Sequence, residues 1–334
     1  MAMTLEEIRV AMNDKVFDKI VDIFYRESEI LTLLPFDDCV AEGGGNSTLR
    51  YTYVRKVLPA LAEFRKLYGK YTASEATVEQ FIAQLAIMGG KIQIDRVLNK
   101  ANGRFNNFAY QLEEHIKAVA SLFNYTLING DAVTTASGDH PEFEGLDSMV
   151  AGTTTEYNAN GSIDLSTMAA LKQNADEFYE KLTILAAETD ADVLLMNTKM
   201  ISKIQTVARV LGYKTESEQA FGRKAISLDG LRFIDMKNHY TISDGHATAN
   251  AVIPVATKTI GGSSVTGVTD IYGVKFDVND GFHGITMNGS SVVESFLPDF
   301  SKPDPVKDAE LELVAATVLK NTQHAGVLRN IKIA

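Results

Sequence analysis

Six histidines, one cysteine and a surplus of carboxylates are the residues of this chain that could do acid–base, nucleophilic or metal chemistry. His115, His140, His239, His246, His283 and His324 lie far apart, and none stands in an HExxH or H-x-H frame that would place two imidazoles on one face. No metal site is expected. Cys39 comes just after Asp37 and Asp38, whose charges raise a thiol pKa, so it reads as a small apolar residue and not as a nucleophile. A single cysteine permits no internal disulfide, and no Cys/His cluster is available for structural zinc. No GxSxG or GxxxxGK[ST] frame occurs: Gly43-Gly44-Gly45 lacks a Lys-Ser/Thr after it, and Met88-Gly89-Gly90-Lys91 lacks the rest of the loop. Pairs such as Glu113-Glu114, or Asp139 with Glu142, leave a glycosidase or isomerase formally open but carry no geometry. The expectation is a chain with no catalytic residues and no cofactor.

The 334 residues carry 32 Lys and Arg against 43 Asp and Glu, a net charge of −11, and are 45% apolar. That balance fits a globular chain of roughly two domains at about 150 residues each. Met1 to Glu7 is acidic and then amphipathic, unlike a secretory signal, and no run approaches the roughly 18 apolar residues of a membrane span. No membrane partner is expected. An acidic chain is also a poor general binder of nucleic acid, since phosphate affinity comes from Lys and Arg.

Charge is distributed unevenly along the chain. Residues 1–42 hold four cations against ten anions, Glu6, Glu7, Asp14 and Asp18 among them. Thr4 and Glu7 form a capping box, and Ile8, Met12, Val16, Ile20 and Phe24 recur every four residues, giving an amphipathic arm. An ordinary core helix would show the same spacing, but Gly43, Gly44 and Gly45 separate this one from the next segment and read as a hinge. From Ser47 to Tyr71 the sign reverses: Arg50, Arg55, Lys56, Arg65, Lys66 and Lys70 face only Glu63. Leu49, Tyr51 and Tyr53 alternate with polar residues, Leu58-Pro59-Ala60 breaks the strand, and Thr72 onward can return, which predicts a long two-stranded loop. A lone ribbon is marginal in water, so one bearing Leu58, Leu61, Phe64 and Leu67 needs another surface, either its own domain or another copy.

Val78 to Leu98 is strand-like, with Phe81, Leu85, Ile87, Ile92 and Ile94 as inward candidates and Gly89-Gly90 as a bulge or turn. Phe105, Phe108, Leu112, Ile116, Val119, Phe123 and Leu127 then keep to helical steps up to Asn129-Gly130. A loop-rich crossing covers Asp131 to Gly161. Leu165 to Glu188 is helical, Asp192 to Met196 a buried strand, and Asn197 caps a helix that ends at Gly212. Short strands come next, at Leu231 to Ile234, Ala251 to Ala256, Tyr272 to Phe276 and His283 to Met287. After Pro298, Pro303 and Pro305, Leu311 to Leu319 and Val327 to Ile333 read as terminal strands returning to the first domain. The fold class is α+β.

The order of features resembles a known family. An acidic arm, a basic extended loop, a long helix ending in Leu127-Ile128-Asn129-Gly130-Asp131, and Phe143-Glu144-Gly145-Leu146 are similar to the major capsid proteins of tailed bacteriophages, the Hong Kong 97 type fold. Leu194-Leu195-Met196-Asn197, Leu211-Gly212-Tyr213 and Leu228-Asp229-Gly230-Leu231 resemble that family's axial domain in the same order. The resemblance implies an arm over 1–44, an extended loop over 45–76, a peripheral domain over 77–150 with a spine helix at about 104–129, an axial domain over 151–296, and a return over 297–334. It implies hexamers and pentamers closing an icosahedral virion shell around double-stranded DNA, assembled in the host cytoplasm, with a portal. Because the arm starts within a few residues of Met1, a separate scaffold protein is expected. Some relatives form isopeptide bonds; Lys66 or Lys70 with Asn321 or Asn330 are candidates that no motif singles out.

The assembly interface is accordingly expected at Arg50, Arg55, Lys56, Phe64, Arg65, Lys66, Leu67 and Lys70, met by Glu6, Glu7, Asp14 and Asp18 of the arms, with bending at Gly43 to Gly45 and at the Thr259 to Gly267 loop. Two rivals stand beside this reading: an encapsulin shell of the same fold holding a protein cargo, and a free α+β enzyme with a pocket of converging titratable groups.

Overall fold

The computed structural model describes residues 28–39, 48–95, 97, 107–138, 141–213, 216–220, 223–228, 230–287, 293–299, 301 and 303–334. In chain order these form helix α1 (Glu29–Leu33), strands β1 (Phe36–Cys39), β2 (Arg50–Leu58), β3 (Thr77–Gln84) and β4 (Ala86–Asp95), and helices α2 (Asn107–Asn129), α3 (Ala132–Thr135) and α4 (Leu146–Val150). Next come strands β5 (Glu156–Tyr157) and β6 (Ile163–Asp164), helix α5 (Met168–Thr189), strand β7 (Val193–Met196) and helix α6 (Thr198–Leu211). The remainder is strands: β8 (Glu216–Ala220), β9 (Arg223–Leu228), β10 (Leu231–Asp235), β11 (Asn238–Ser243), β12 (His246–Ala251), β13 (Ala256–Ile260), β14 (Ser263–Val274), β15 (Phe282–Met287), β16 (Val293–Phe296), β17 (Val306–Leu319) and β18 (Ala325–Lys332).

Two sheets organise the chain. In the first, β17 pairs antiparallel with β4 along one edge and with β15 and β16 along the other, and β1 runs parallel to β15. The second has the order β5-β18-β14-β7-β10-β9-β8, with β13 added to β14 and β6 to β18. The long helix α2 buries Ile116, Val119, Phe123 and Leu127 in a core shared by Met88 and Leu313 of the first sheet and Leu195 and Ile234 of the second. Each such side chain contributes roughly 1.5–3 kcal/mol when fully buried. Helices α5 and α6 cover the opposite face of the second sheet through Phe178, Leu182, Met200 and Ile204. Strand β7 is therefore buried on both faces, Leu195 to one core and Leu194 to the other, which explains its unbroken apolar sequence. Helix α6 starts where the Asn197 side chain accepts the Met200 amide at 2.9 Å and stops at Gly212 in the left-handed region.

Several sequence expectations are corrected. Residues 28–39 are not part of a detached arm: Ile30, Leu31, Leu34, Phe36 and Cys39 are buried and β1 is hydrogen-bonded into the first sheet. The chain crosses between sheets after Val274 and not at 296, since β15 and β16 belong with β17 and β4. Val327 to Ile333 does not return to the first unit; β18 pairs with β14, because its apolar residues complete the second core. Ile87 points outward and is 63% exposed, while Met88 is buried in its place. Gly89-Gly90 makes no bulge, for β4 keeps register with β17 throughout; a Cβ on Gly90 would collide with the His115 ring of α2, so glycine there permits close helix–sheet packing. Ala251 to Ala256 is a bend between β12 and β13 whose Val252 and Ile253 are buried. The Thr259 to Gly267 segment is a tight hairpin turning at Gly261-Gly262, not a bending loop. Gly43 to Gly45, Glu6, Glu7, Asp14, Asp18, Phe105 and the start of the predicted spine helix at 104 lie outside the described residues.

Candidate assembly surface

Strands β2 and β3 form a ribbon of their own, with Tyr53 opposite Phe81 and Arg55 opposite Glu79. Period-2 alternation divides it into two faces. On the inner face the Tyr51 hydroxyl donates to Asp37 at 2.6 Å and the Tyr53 and Phe81 rings stack at 5.9 Å. The Arg55 guanidinium lies 4.6 Å from the Phe81 ring centre and donates two hydrogen bonds, at 3.1 and 2.7 Å, to the Leu319 carbonyl. Arg55, expected at a contact between copies, thus ties its own ribbon to the end of β17. On the outer face Val54, Val78 and Ile82 are exposed.

Beneath the base stands His283, fully buried, its ring edge-on to Tyr51 at 6.0 Å. Burial, reinforced by the Lys320 charge, lowers its pKa to about 4, and its Nε2 has no hydrogen-bond partner among the described residues. The neutral imidazole keeps the seat apolar. Cys39 is buried nearby and its thiol is pushed up to about 12 by burial and then by Asp37 and Asp38, so the thiolate needed for nucleophilic attack is suppressed.

Between the two strands, residues 59–76 form a tip without regular structure, tied by its own short bonds. The Leu61 amide donates to Ser74 Oγ at 2.9 Å, the Gly69 amide to the Lys66 carbonyl at 2.9 Å, and the Thr72 amide to the Glu63 carboxylate. Arg65 lies 5.3 Å from the Tyr71 ring centre. The tip's apolar residues meet almost nothing of their own chain: Phe64 is fully exposed, and Leu61, Leu67, Tyr68 and Tyr71 are all more than half exposed. Lys66 and Lys70 are exposed beside them, whereas Arg50 is exposed at the other end of the ribbon, paired with Gln84. Of the basic residues expected at an interface, the structure therefore places Arg65, Lys66 and Lys70 in the open with Phe64 and Leu67, leaves Arg50 exposed at the far end of the ribbon, turns Arg55 inward, and leaves the Lys56 side chain outside the described residues. Tyr68 and Tyr71 were not singled out by sequence, though their aromatic type beside Lys and Arg was a signal.

The asparagines considered for isopeptide bonds are already engaged. Asn330 is buried and its amide donates to the Asn158 and Ala159 carbonyls, while the Asn321 side chain caps the turn at Thr322–His324. Arg329 forms a second site the sequence did not announce. Its guanidinium binds Glu156 at 2.6 Å and Asp147 at 2.5 Å and lies 3.4 Å from Asp270, which also holds Lys258. Burial opposes the charge of Glu156, yet the Gly152 amide and Arg329 hold its carboxyl below the usual range. This network ties α4 and β5 to β14 and β18. Among the described residues no group of three His, Cys, Asp or Glu could hold a metal ion, and no helix is long and apolar enough to cross a membrane.

The family model described as SU10 major capsid protein matches residues 72–229. That segment includes the returning strand of the ribbon, α2, α5, β7 and α6. No curated protein matches. Among solved structures, the SrpI encapsulin of Synechococcus elongatus PCC 7942 is similar at 13% identity and a TM-score of 0.58, over 91% of this chain and 87% of that one. The capsid of a native GTA particle is similar at 12% identity and a TM-score of 0.56, over 93% and 90%. A structure from Mycobacterium phage Ogopogo is similar at 13% identity and a TM-score of 0.50, over 92% and 91%. Likeness at such identities establishes a shared fold.

Proposed function

We propose that this chain, a tailed-bacteriophage major capsid protein of the Hong Kong 97 type, builds its shell by laying the ribbon of each copy across the next. The observation that carries the reading is the tip itself, in which Phe64, Leu67 and Tyr68 are exposed on a segment held by bonds within itself. A surface of that kind is stable in water only when covered. Each of these side chains contributes roughly 1.5–3 kcal/mol on burial, whereas an exposed ion pair adds at most about 1 kcal/mol, so cohesion comes from apolar area and orientation from charge. Head-to-tail contacts of this sort close into rings, and hexamers and pentamers are the rings an icosahedral shell requires. A separate scaffold, a portal and packaged double-stranded DNA are the partners this reading assigns. With a net charge of −11 the shell confines DNA rather than gripping it.

The double variant Arg65→Glu, Lys66→Glu tests the role of the tip. It is expected to leave a folded subunit by circular dichroism that makes no shells under negative-stain microscopy; particles in normal number would overturn that role. The encapsulin reading is favoured by one observation, the likeness to SrpI. Extraction of purified shells decides between them: nucleic acid inside supports the phage reading, and a co-purifying enzyme inside supports the compartment.

A further inference from the structure

Strands β11 and β12 form a hairpin that belongs to neither large sheet. Asp244 and Gly245, both with positive φ, make its two-residue turn. In an antiparallel pair the residues alternate between those bonded to the partner strand and those whose backbone groups point away from it. The Val252 amide donates to the Lys237 carbonyl at 3.1 Å, and every second residue from there, Asn250, Thr248 and His246, is therefore bonded to β11. The amides and carbonyls of Ala247, Ala249 and Ala251 point to the other side. The same phase identifies the outward edge of β11: its Asn238 carbonyl accepts the Ser121 hydroxyl of α2 at 2.9 Å. One edge of the hairpin thus lies against the long helix. The other is open, for no described strand pairs with β12 besides β11.

Folded chains usually blunt such an edge with a lysine, a proline or a bulge. Strand β12 reads His-Ala-Thr-Ala-Asn-Ala, with no Lys, Arg, Asp, Glu or Pro, and keeps register with β11 along its whole length. His246 to Asn250 are exposed. One face of the hairpin carries Tyr240 at 59% exposure and Ile242 at 78%, opposite Ala249 and Ala247. A lone two-stranded ribbon is marginal in water, and an apolar face on three or more strands is what makes a small sheet stable. An antiparallel edge is also its own complement, since a half-turn brings its donors onto its acceptors, and an uncharged strand meets its copy without repulsion.

We propose that β12 pairs edge to edge with β12 of a second copy across a twofold axis, making a four-stranded sheet in the order β11-β12-β12-β11. Because outward groups must meet outward groups, the axis passes through a residue, Thr248 or Ala249, and not between two. The inference rests on the shell-building reading. Strands of six residues bury far less than the roughly 800 Å² per partner of a standard interface, so the pairing forms where other contacts already hold the copies together. It is distinct from the head-to-tail contacts that close rings, because a twofold contact uses the same patch on both copies.

The test uses the full chain under conditions in which the wild type makes shells. Ala249→Pro removes an outward donor at a position where an edge strand tolerates proline. It is expected to keep the wild-type circular dichroism and melting curve and to lower shell yield by about tenfold or more, since each pairing loses a hydrogen bond from both copies. Independently, Thr248→Cys and Ala249→Cys are made singly. The one on the axis is expected to give disulfide-linked dimers in oxidised shells, because directly opposed Cα atoms stand about 4.5–5.5 Å apart, within disulfide reach. Cys39 is buried and stays out of the reaction. Tyr240→Cys, exposed on the strand beside α2, is expected to give no dimer. Wild-type yield from the proline variant, or shells in which neither cysteine links or Tyr240→Cys links equally, overturns the pairing and leaves the shell reading intact. If the proline variant unfolds, the cysteine variants alone decide. A wild type that makes no shells in any condition overturns the shell reading, and the pairing with it.

Discussion

Replacing Arg329 with Met should show how strongly the polar hub holds the second sheet to α4. The substitution preserves much of the side-chain volume and removes the guanidinium from Glu156 and Asp270, whose side chains are 17% and 8% exposed. Removing one partner of a buried ion pair typically costs 3–5 kcal/mol, because the other charge is left uncompensated. Asp147 is 42% exposed and is rehydrated, and Lys258 still neutralises Asp270, so the lower end of that range, about 3 kcal/mol, is expected at pH 7. Chemical denaturation measures it, read by tyrosine fluorescence or far-ultraviolet circular dichroism, since the chain has no tryptophan. The pH dependence supplies a second reading. A carboxyl whose folded pKa is depressed, as that of Glu156 is, contributes stability that is full above its unfolded value of about 4.5 and disappears as pH falls through the folded value. The wild type should therefore lose stability below about pH 4.5 faster than the variant, and the gap between them should close. A variant within about 1 kcal/mol of the wild type at pH 7, or a gap constant from pH 7 to about pH 3, would refute the account.

Gly267→Ala should destabilise the chain by roughly 1–3 kcal/mol, since the residue has φ +75° and a Cβ would overlap the Ala334 carbonyl; deleting Ala334 in the same chain should recover only the overlap portion, as urea midpoints will show. His283→Leu should flatten the acid limb of stability: with a folded pKa near 4 and an unfolded value near 6.5, the wild type is fully stabilised above 6.5 and loses up to roughly 3 kcal/mol as pH falls to 4, whereas the variant does not, and an unchanged slope would exclude the histidine.

The helices and the ribbon were legible in the sequence because their signals are local. Thr167 and Asn197 accept amide hydrogen bonds at the starts of α5 and α6, and four buried residues of α2 fall at three- and four-residue steps. What could not be read was pairing between segments distant in the chain. Nothing in Val327 to Ile333 says that it lies beside β14 and not beside β4, for both neighbours offer apolar strands. Arg55 is one of six similar cations in its segment, and only the position of the Leu319 carbonyl, 264 residues away, turns it inward. Arg329 was invisible for the same reason: its three carboxylates come from 147, 156 and 270. Ile87 and Met88 were exchanged because two glycines hide the phase of the alternation in β4.

The chain passes between the two sheets three times, from β4 and α2 to β5, from β14 to β15, and from β17 to β18. Two of these passages are stitched to each other, with the Lys275 amide donating to the His324 carbonyl and the Lys320 ammonium to the Val278 carbonyl. A body hung on one strap can swing; one held by three straps, two of them laced, resists both twist and shear. Curvature in anything built from this chain has to arise at the seams between tiles, because each tile is braced against folding along its own midline.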